Sequence, residues 1–389
     1  MHEHQGNPRT DSWNEVTAMQ TVITAERGYA ALLEYLQKAG MKKILVVCGD
    51  SCSRLDIGKF LDDRIRQGAL DAVYFRDFAP NPDYSSVVKG VDVFHANACD
   101  SILAIGGGSA IDVAKCIKLY TTMPQGSDYI HEKIVPNDIP FVAVPTTAGT
   151  GSEATRFAVV YYNGEKQSVT DYSCIPQAVL FDASVLDSLP PYQRKSTMMD
   201  AFCHAVESFW SVNSTDESKN FAKSAIRLIL DNSGSYLAND PVGNKKMLEA
   251  ANLAGKAINI SQTTAGHAMC YKLTGLYKIA HGHAAALCVC ALWPYMIAHK
   301  DDCADSRGAG YLSQMFGELA ACMGEQTPEA AAEKFRNFVD GLSLEKTSVQ
   351  SDNDFEILKK SVNPVRLKNN PVRLDADSID TIYHQILGA

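Results

Sequence analysis

Asp200 and His204 stand one helical turn apart in MMDAFCHAVESFW. Further along, TTAGHAMCYKLTGLYKIAHGHAAAL carries His267, His281 and His283. In a helix the spacing i, i+4 puts Asp200 and His204 on one face, so both project into the same place. By itself such a pair is more often a surface pair or a pair of helix-capping partners. The second segment shifts that balance. Imidazoles set among apolar residues need partners, and a divalent cation supplies one. Three nitrogens and one carboxylate, from Asp200, His204, His267 and His281, suit Zn2+ or Fe2+ better than magnesium or calcium, which prefer oxygen shells. The donor set accepts iron and zinc alike. His283, beside Gly282, reads as a residue behind the ligands or as a structural one.

A second chemistry is written in glycines. The apolar run SILAIG leads into GGGSAIDVAK at 106–115, where a strand must turn sharply into a helix. Backbone amides at such a turn can approach a pyrophosphate, and the helix N-terminus favours negative charge. The alternative is a tight turn with Ser109 as helix cap, since the spacing is not the G-x-G-x-x-G fingerprint. A further loop, PTTAGTGSE from Pro145 to Glu153, offers Thr146, Thr147 and Thr150 to a phosphate or ribose. Two such loops at strand ends imply one dinucleotide site.

The elements that must carry these residues follow from hydrophobic periodicity. Helical patterns at 30–39, 57–67, 84–98 and 110–120 alternate with strand patterns at 43–48, 72–75, 101–105 and 141–144. This alternation predicts a doubly wound parallel sheet. After Pro190-Pro191 strand signals fade, and long periodic segments at 198–212, 220–236 and 246–260 predict an all-helical second half. The expected division is a dinucleotide-binding α/β domain at 1–190 and a helical, metal-binding catalytic domain at 191–389.

Composition excludes several classes. The 389 residues are 46% hydrophobic and carry 45 acidic against 36 basic side chains, with no basic cluster to follow a phosphate backbone, so no nucleic-acid partner is expected. The longest apolar stretches, such as 44–47 and 284–293, fall short of the ~20 residues that span a bilayer, and the polar first fifteen residues lack a signal-peptide core. A cytoplasmic protein without a membrane partner is expected. Eleven cysteines, odd in number and set in apolar runs, read as buried reduced thiols.

In order and spacing, the GGGSAIDVAK turn, the PTTAGTGSE loop, the Asp-x-x-x-His pair and the histidines at 267 and 281 resemble the iron-containing (group III) alcohol dehydrogenase family. The resemblance runs from about residue 22 to the C-terminal LKNNPVRL segment. It implies a Rossmann-like N-terminal domain and an all-α C-terminal domain, the dehydroquinate synthase-like fold, with the cofactor in the cleft between them. It carries over Asn81, Gly107, Gly108, Ser109, Thr146, Thr147, Thr150 and Lys166 as cofactor contacts, and Asp200, His204, His267 and His281 as metal ligands. Two positions depart from the pattern. Tyr271 stands where many members have a further histidine near the nicotinamide, which alters the proton path. Gly49 stands where many have an aspartate that excludes NADP. If its neighbour Asp50 reaches the ribose, it favours NAD over NADP.

The wording around the third ligand resembles the branch that reduces two-carbon aldehydes with an anionic head: sulfoacetaldehyde to isethionate, or phosphonoacetaldehyde to hydroxyethylphosphonate. Thr263, Thr264 and Tyr271 are then expected to line the pocket with hydroxyls. Arg156 and Lys272 are candidates for the cation that meets the anion, unless both point to solvent. Hydride would come from NADH, the metal would polarise the carbonyl, and the proton would arrive through water, the cofactor ribose and Tyr271. Within the same class the alternative is a general short-chain alcohol or polyol dehydrogenase. From other classes come a dehydroquinate synthase-like lyase, which needs more basic residues than the ligand segments supply, and a non-catalytic scaffold. Apolar helical surface in the second half makes a homodimer or higher homo-oligomer the expected assembly.

Overall fold

Strands buried on both faces read as continuous apolar runs, and KILVVC, SILAIG and FVAVP are such runs. A computed structural model describes residues 20–388 apart from 27, 346, 352 and 363. Its residues fall into two compact units, one running to Thr147 and resuming at Gly151–Ser188, the other formed by Leu189 onward with Ala148–Thr150.

The first unit alternates strand and helix. In chain order it comprises β1 (Thr21–Thr24), α1 (Ala30–Lys38), β2 (Lys43–Cys48), α2 (Asp56–Arg66), β3 (Asp71–Phe75), α3 (Tyr84–Ala96), β4 (Ser101–Gly106), α4 (Gly108–Tyr120) and β5 (Phe141–Pro145). A hairpin, β6 (Phe157–Tyr162) and β7 (Glu165–Thr170), and then β8 (Ala178–Phe181) complete it. Six strands form one parallel sheet in the order β1-β8-β5-β4-β2-β3, a Rossmann-like arrangement. The inner strands are buried almost throughout, whereas the edge strands β1 and β3 are short and partly exposed. Short edges of this kind discourage pairing with other chains.

The sequence pattern anticipates β2 to β5 and the four helices to within a few residues. It does not anticipate β1, β8 or the hairpin. Edge strand β1 has four residues, and β7, EKQSVT, is exposed along most of its length, so neither leaves a hydrophobic period to detect.

Helix α4 is the centre of this unit, with every residue from Val113 to Tyr120 buried, two lysines among them. Lys115 Nζ donates to the carbonyls of Thr155 and Phe157, each at 2.7 Å, and Lys118 Nζ to the Asn137 carbonyl at 2.7 Å. Burial pushes the Lys118 ammonium down to about 8. Asp112 accepts from Ser152 Oγ at 2.6 Å and Val159 N at 3.0 Å. The helix that begins at the glycine turn therefore also fixes the backbone just after the threonine loop.

The second unit is helical: α5 (Pro191–Trp210), α6 (Asp216–Leu237), α7 (Pro241–Ser261), α8 (Ala265–Tyr277), α9 (His281–Ala298), α10 (Ala309–Cys322), α11 (Pro328–Gly341), α12 (Asp354–Ser361), α13 (Pro364–Leu367) and α14 (Ala376–Leu387). Helix α5 is buried from Met198 to Trp210 and packs against α6, α7, α9 and α10. Helix α9 has the length and hydropathy of a membrane span. It touches α5, α8, α11 and α14 instead, and a helix surrounded by others is apolar all round. All eleven cysteines are free, nine of them buried.

Replacing Lys115 with Met leaves the Thr155 and Phe157 carbonyls without their buried donor. Urea unfolding should show a loss of about 2–3 kcal/mol. An unchanged midpoint would mean that water replaces the ammonium at no cost.

Candidate active site

The candidate metal residues come from three helices. Asp200 and His204 lie one turn apart on α5, His267 in the first turn of α8, and His281 opens α9. Tight packing brings α9 onto α5. A Cβ at Gly282 would collide with the Ser196 carbonyl and lie 2.7 Å from Asp200 Cβ, so only glycine lets the two backbones approach this closely.

Asp200, His267 and His281 offer ligand atoms that all lie within 4.8 Å of one another. His267 Nε2 is 3.4 Å, His281 Nε2 3.8 Å and His204 Nε2 4.0 Å from Asp200 Oδ1. The His204 ring stacks on His267 with centroids 4.4 Å apart. Three imidazole nitrogens thus surround one carboxylate oxygen at separations too long for strong hydrogen bonds. Four ligands each about 2.1 Å from a tetrahedral centre are themselves about 3.4 Å apart. Asp200, His267 and His281 are thus grouped closely enough for a zinc-sized or iron-sized cation, while His204, its Nε2 4.0 Å from Asp200 Oδ1, lies outside that group.

Charge follows burial here. Burial alone would raise the Asp200 carboxyl, but His204, His281 and His267 hold it below the usual carboxylate range. His204 is pushed down to about 4 by burial, partly offset by Asp200. His267 moves the other way. Burial disfavours its charge, yet Glu207 and Asp200 raise it to about 9.

Glu207, a residue that sequence reasoning missed, organises this corner. Fully buried on α5, it sets Oε2 against His267 Nδ1. Its Oε1 accepts from Thr264 N at 3.1 Å, Thr264 Oγ1 at 2.6 Å and His267 N at 3.2 Å. One carboxylate both caps the start of α8 and orients the imidazole, and it leaves His267 Nε2 turned toward Asp200. This corrects the expectation for Thr264. Its hydroxyl donates to Glu207 and accepts from Trp210 Nε1 at 3.0 Å, so it is spent inside the protein and is no free pocket donor.

Tyr271 lies one turn beyond His267 on α8 and stacks on His281, with centroids 5.4 Å apart at 20°. Burial raises its phenol, with Arg366 pulling the other way. Thr263 is buried and accepts from Arg366 Nη1 at 3.0 Å. Lys272 is exposed. Arg156 belongs to the α/β unit, where its guanidinium lies over the rings of Phe157 and Tyr172 at 4.5 and 4.9 Å. His283 is engaged apart from the cluster, with Nδ1 3.1 Å from the Tyr192 hydroxyl.

Of the cofactor candidates in the α/β unit, the glycine turn and the threonine loop are brought together. Gly107 precedes α4 with extended backbone and no side-chain cap, and Gly108 and Ser109 form the first turn, so Ser109 is not the cap. A Cβ on Gly107 would lie 3.2 Å from the Thr147 side chain, and Thr146 N donates to the Gly106 carbonyl at 3.0 Å. The turn and the threonine loop are thus in contact. Asp50 is exposed where β2 ends, exposed Asn81 adopts φ 56°, Lys166 is exposed on β7, and Thr150 groups with the helical unit.

Comparison with known proteins decides the family. Residues 20–183 match the iron-containing alcohol dehydrogenase domain, and residues 195–387 the C-terminal domain of the same family. The chain belongs to the iron-containing alcohol dehydrogenase family. It is 32% identical to a phosphonoacetaldehyde reductase of Streptomyces viridochromogenes over 79% of this chain and 80% of that one. With an NAD-dependent methanol dehydrogenase of Bacillus methanolicus the identity is 29% over 86% and 90%. A crystal structure of sulfoacetaldehyde reductase from Bifidobacterium kashiwanohense in complex with NAD+ superposes with TM-score 0.83 at 25% identity, covering 95% of this chain and 98% of that one. As a member of this family the protein is an enzyme of the alcohol dehydrogenase and aldehyde reductase class.

In this alcohol dehydrogenase, Glu207→Gln keeps the size of the side chain but removes the charge behind His267. Metal affinity should fall about 10-fold to 100-fold, as measured by competition with a chromogenic chelator. Unaltered affinity would leave Glu207 as a helix cap and nothing more.

Proposed function

We propose that this enzyme is a metal-dependent, NADH-linked reductase of a small anionic aldehyde, with sulfoacetaldehyde to isethionate as the leading reaction and phosphonoacetaldehyde to 2-hydroxyethylphosphonate as the alternative. The observation that carries the reading is the convergence of imidazole nitrogens from three helices, those of His204 and His267 buried and that of His281 partly exposed, on Asp200 Oδ1, beside a tyrosine where an apolar or imidazole side chain is more usual. The likeness to a phosphonoacetaldehyde reductase and a sulfoacetaldehyde reductase supports the substrate class.

Asp200, His204, His267 and His281 would hold one Fe2+ or Zn2+. Such an ion supplies Lewis acidity toward a carbonyl oxygen. NADH supplies the hydride, so aldehyde, NADH and a proton give alcohol and NAD+. Glu207 would keep the proton on His267 Nδ1, so that the proton given up when a cation binds is the one on Nε2. Tyr271, its phenol raised by burial, stays protonated at neutral pH. It can donate a hydrogen bond to the substrate oxygen but not serve as a base. The uncapped amides at Gly107, Gly108 and Ser109 suit a pyrophosphate, and Asn81, Thr146, Thr147, Thr150 and Lys166 are proposed as further cofactor contacts. Asp50 beside the ribose would favour NAD over NADP.

Purified enzyme with NADH should reduce sulfoacetaldehyde or phosphonoacetaldehyde with kcat/KM at least about 10-fold above lactaldehyde and butyraldehyde, a preference of the size one charge-assisted contact supplies. Dialysis against a chelator should abolish turnover, and Fe2+ or Zn2+ should restore it. Comparable turnover of all four aldehydes would sink the anionic substrate, and full activity after chelation would sink the metal.

A further inference from the structure

Arg366 is a cation in need of an anion. It sits half-buried on the short helix α13, with its guanidinium carbon 5.2 Å from the centroid of the Tyr271 ring. Nη1 donates to Thr263 Oγ1 at 3.0 Å, and no carboxylate among the described residues pairs with it. A guanidinium offers five N–H donors in a rigid fork, and one is used here. The rest of the fork is open to a ligand, and a carboxylate or oxyanion is the partner it bonds most strongly.

Its surroundings are fixed. Gln262, which leads into Thr263, adopts φ 59° in the left-handed region that non-glycine residues avoid. Asn369 Nδ2, from the segment just after α13, donates to the Thr263 carbonyl at 3.1 Å. The Thr263 turn and the arginine segment are therefore tied together by two contacts, and Thr263 aims the fork.

Distance selects the ligand. Tyr271 is a shared neighbour: the Arg366 guanidinium carbon lies 5.2 Å from its centroid, and the ring of the candidate ligand His281 stacks on it with centroids 5.4 Å apart. A carbonyl oxygen sits about 2 Å from a zinc-like ion, and an oxyanion accepts from guanidinium at about 2.8 Å. The guanidinium and the His281 ring therefore cannot be farther apart than these two distances laid end to end, a span of the size that a two-carbon aldehyde with an oxyanion head covers between a cation and a metal-bound oxygen.

We propose that Arg366, aimed by Thr263, binds the anionic head of the substrate, a sulfonate or phosphonate, and so determines which aldehydes the enzyme selects. This rests on the reductase reading above and assigns its specificity to a residue that the family-derived site lacks.

The test compares wild type with Arg366→Gln and Arg366→Lys by steady-state kinetics on sulfoacetaldehyde, phosphonoacetaldehyde and uncharged propionaldehyde, with thermal unfolding and NADH affinity as controls. Arg366→Gln should lower the kcat/KM ratio of charged to uncharged aldehyde about 100-fold, chiefly through KM, and Arg366→Lys should restore part of it. Whichever charged aldehyde loses more identifies the head group. A ratio unchanged in a wild type that does prefer charged aldehydes overturns the inference and leaves the reductase reading standing, as does an equal loss on all three substrates.

If the wild type shows no such preference, the substrate reading fails by itself, and calorimetry then decides on Arg366. Ethanesulfonate and ethylphosphonate are titrated into metal-loaded enzyme with NAD+ bound. More than about 10-fold weaker binding by Arg366→Gln supports the anion site. Equal binding by the two proteins, or none by either, overturns it.

Discussion

One buried carboxylate holds the candidate metal corner of the helical unit together. Glu207 receives the Thr264 and His267 amides at the start of α8, the Thr264 hydroxyl, and the Nδ1 side of the His267 imidazole. An ionised carboxylate in an apolar interior is costly unless its oxygens are filled with donors, and here they are filled by groups that must be placed for another purpose. Burial opposes the charge, and His267 and Thr264 more than offset it, so Glu207 stays below its usual range. Capping the helix and orienting the ligand become a single requirement. Neither α8 nor His267 can shift without leaving the other unsatisfied.

The rest of the helical unit serves that corner. Gly282 lets α9 press on α5 closely enough for His281 to reach Asp200. Trp210, at the end of α5, gives its N–H to Thr264 and fixes the hydroxyl that Glu207 receives. In the α/β unit α4 has a comparable duty. Its first turn leaves amides uncapped, while Asp112 and Lys115 hold the chain that follows the threonine loop. Both units thus spend buried charged groups on positioning backbone that could bind a ligand.

Much of this was legible in the residues. Continuous apolar runs gave away β2 to β5, and the Asp-x-x-x-His spacing with two later histidines named residues that do converge. What the sequence hid was chiefly tertiary. Glu207 follows His204 by three positions, and a helical glutamate is ordinarily a solvated one. Only the packing of α8 against α5 reveals it as buried. Thr264 looked like a pocket hydroxyl because its partners, Glu207 and Trp210, are far away along the chain. Arg366 was hidden for the same reason: its proximity to Tyr271 depends on how the C-terminal segment returns to the start of α8. Arg156 and Lys272 are the cations closest in sequence to the loops and ligands, but Lys272 is exposed and Arg156 lies over Phe157 and Tyr172.

The central claim is that Asp200, His204, His267 and His281 form one transition-metal site. Anomalous diffraction from crystals of the purified protein, collected on either side of the iron and zinc edges, tests it most directly. The account predicts a single peak about 2.0–2.2 Å from the Asp200 carboxylate and from the Nε2 atoms of the histidines. A protein that scatters at neither edge after growth and purification with both metals, or a peak bound elsewhere, would contradict it.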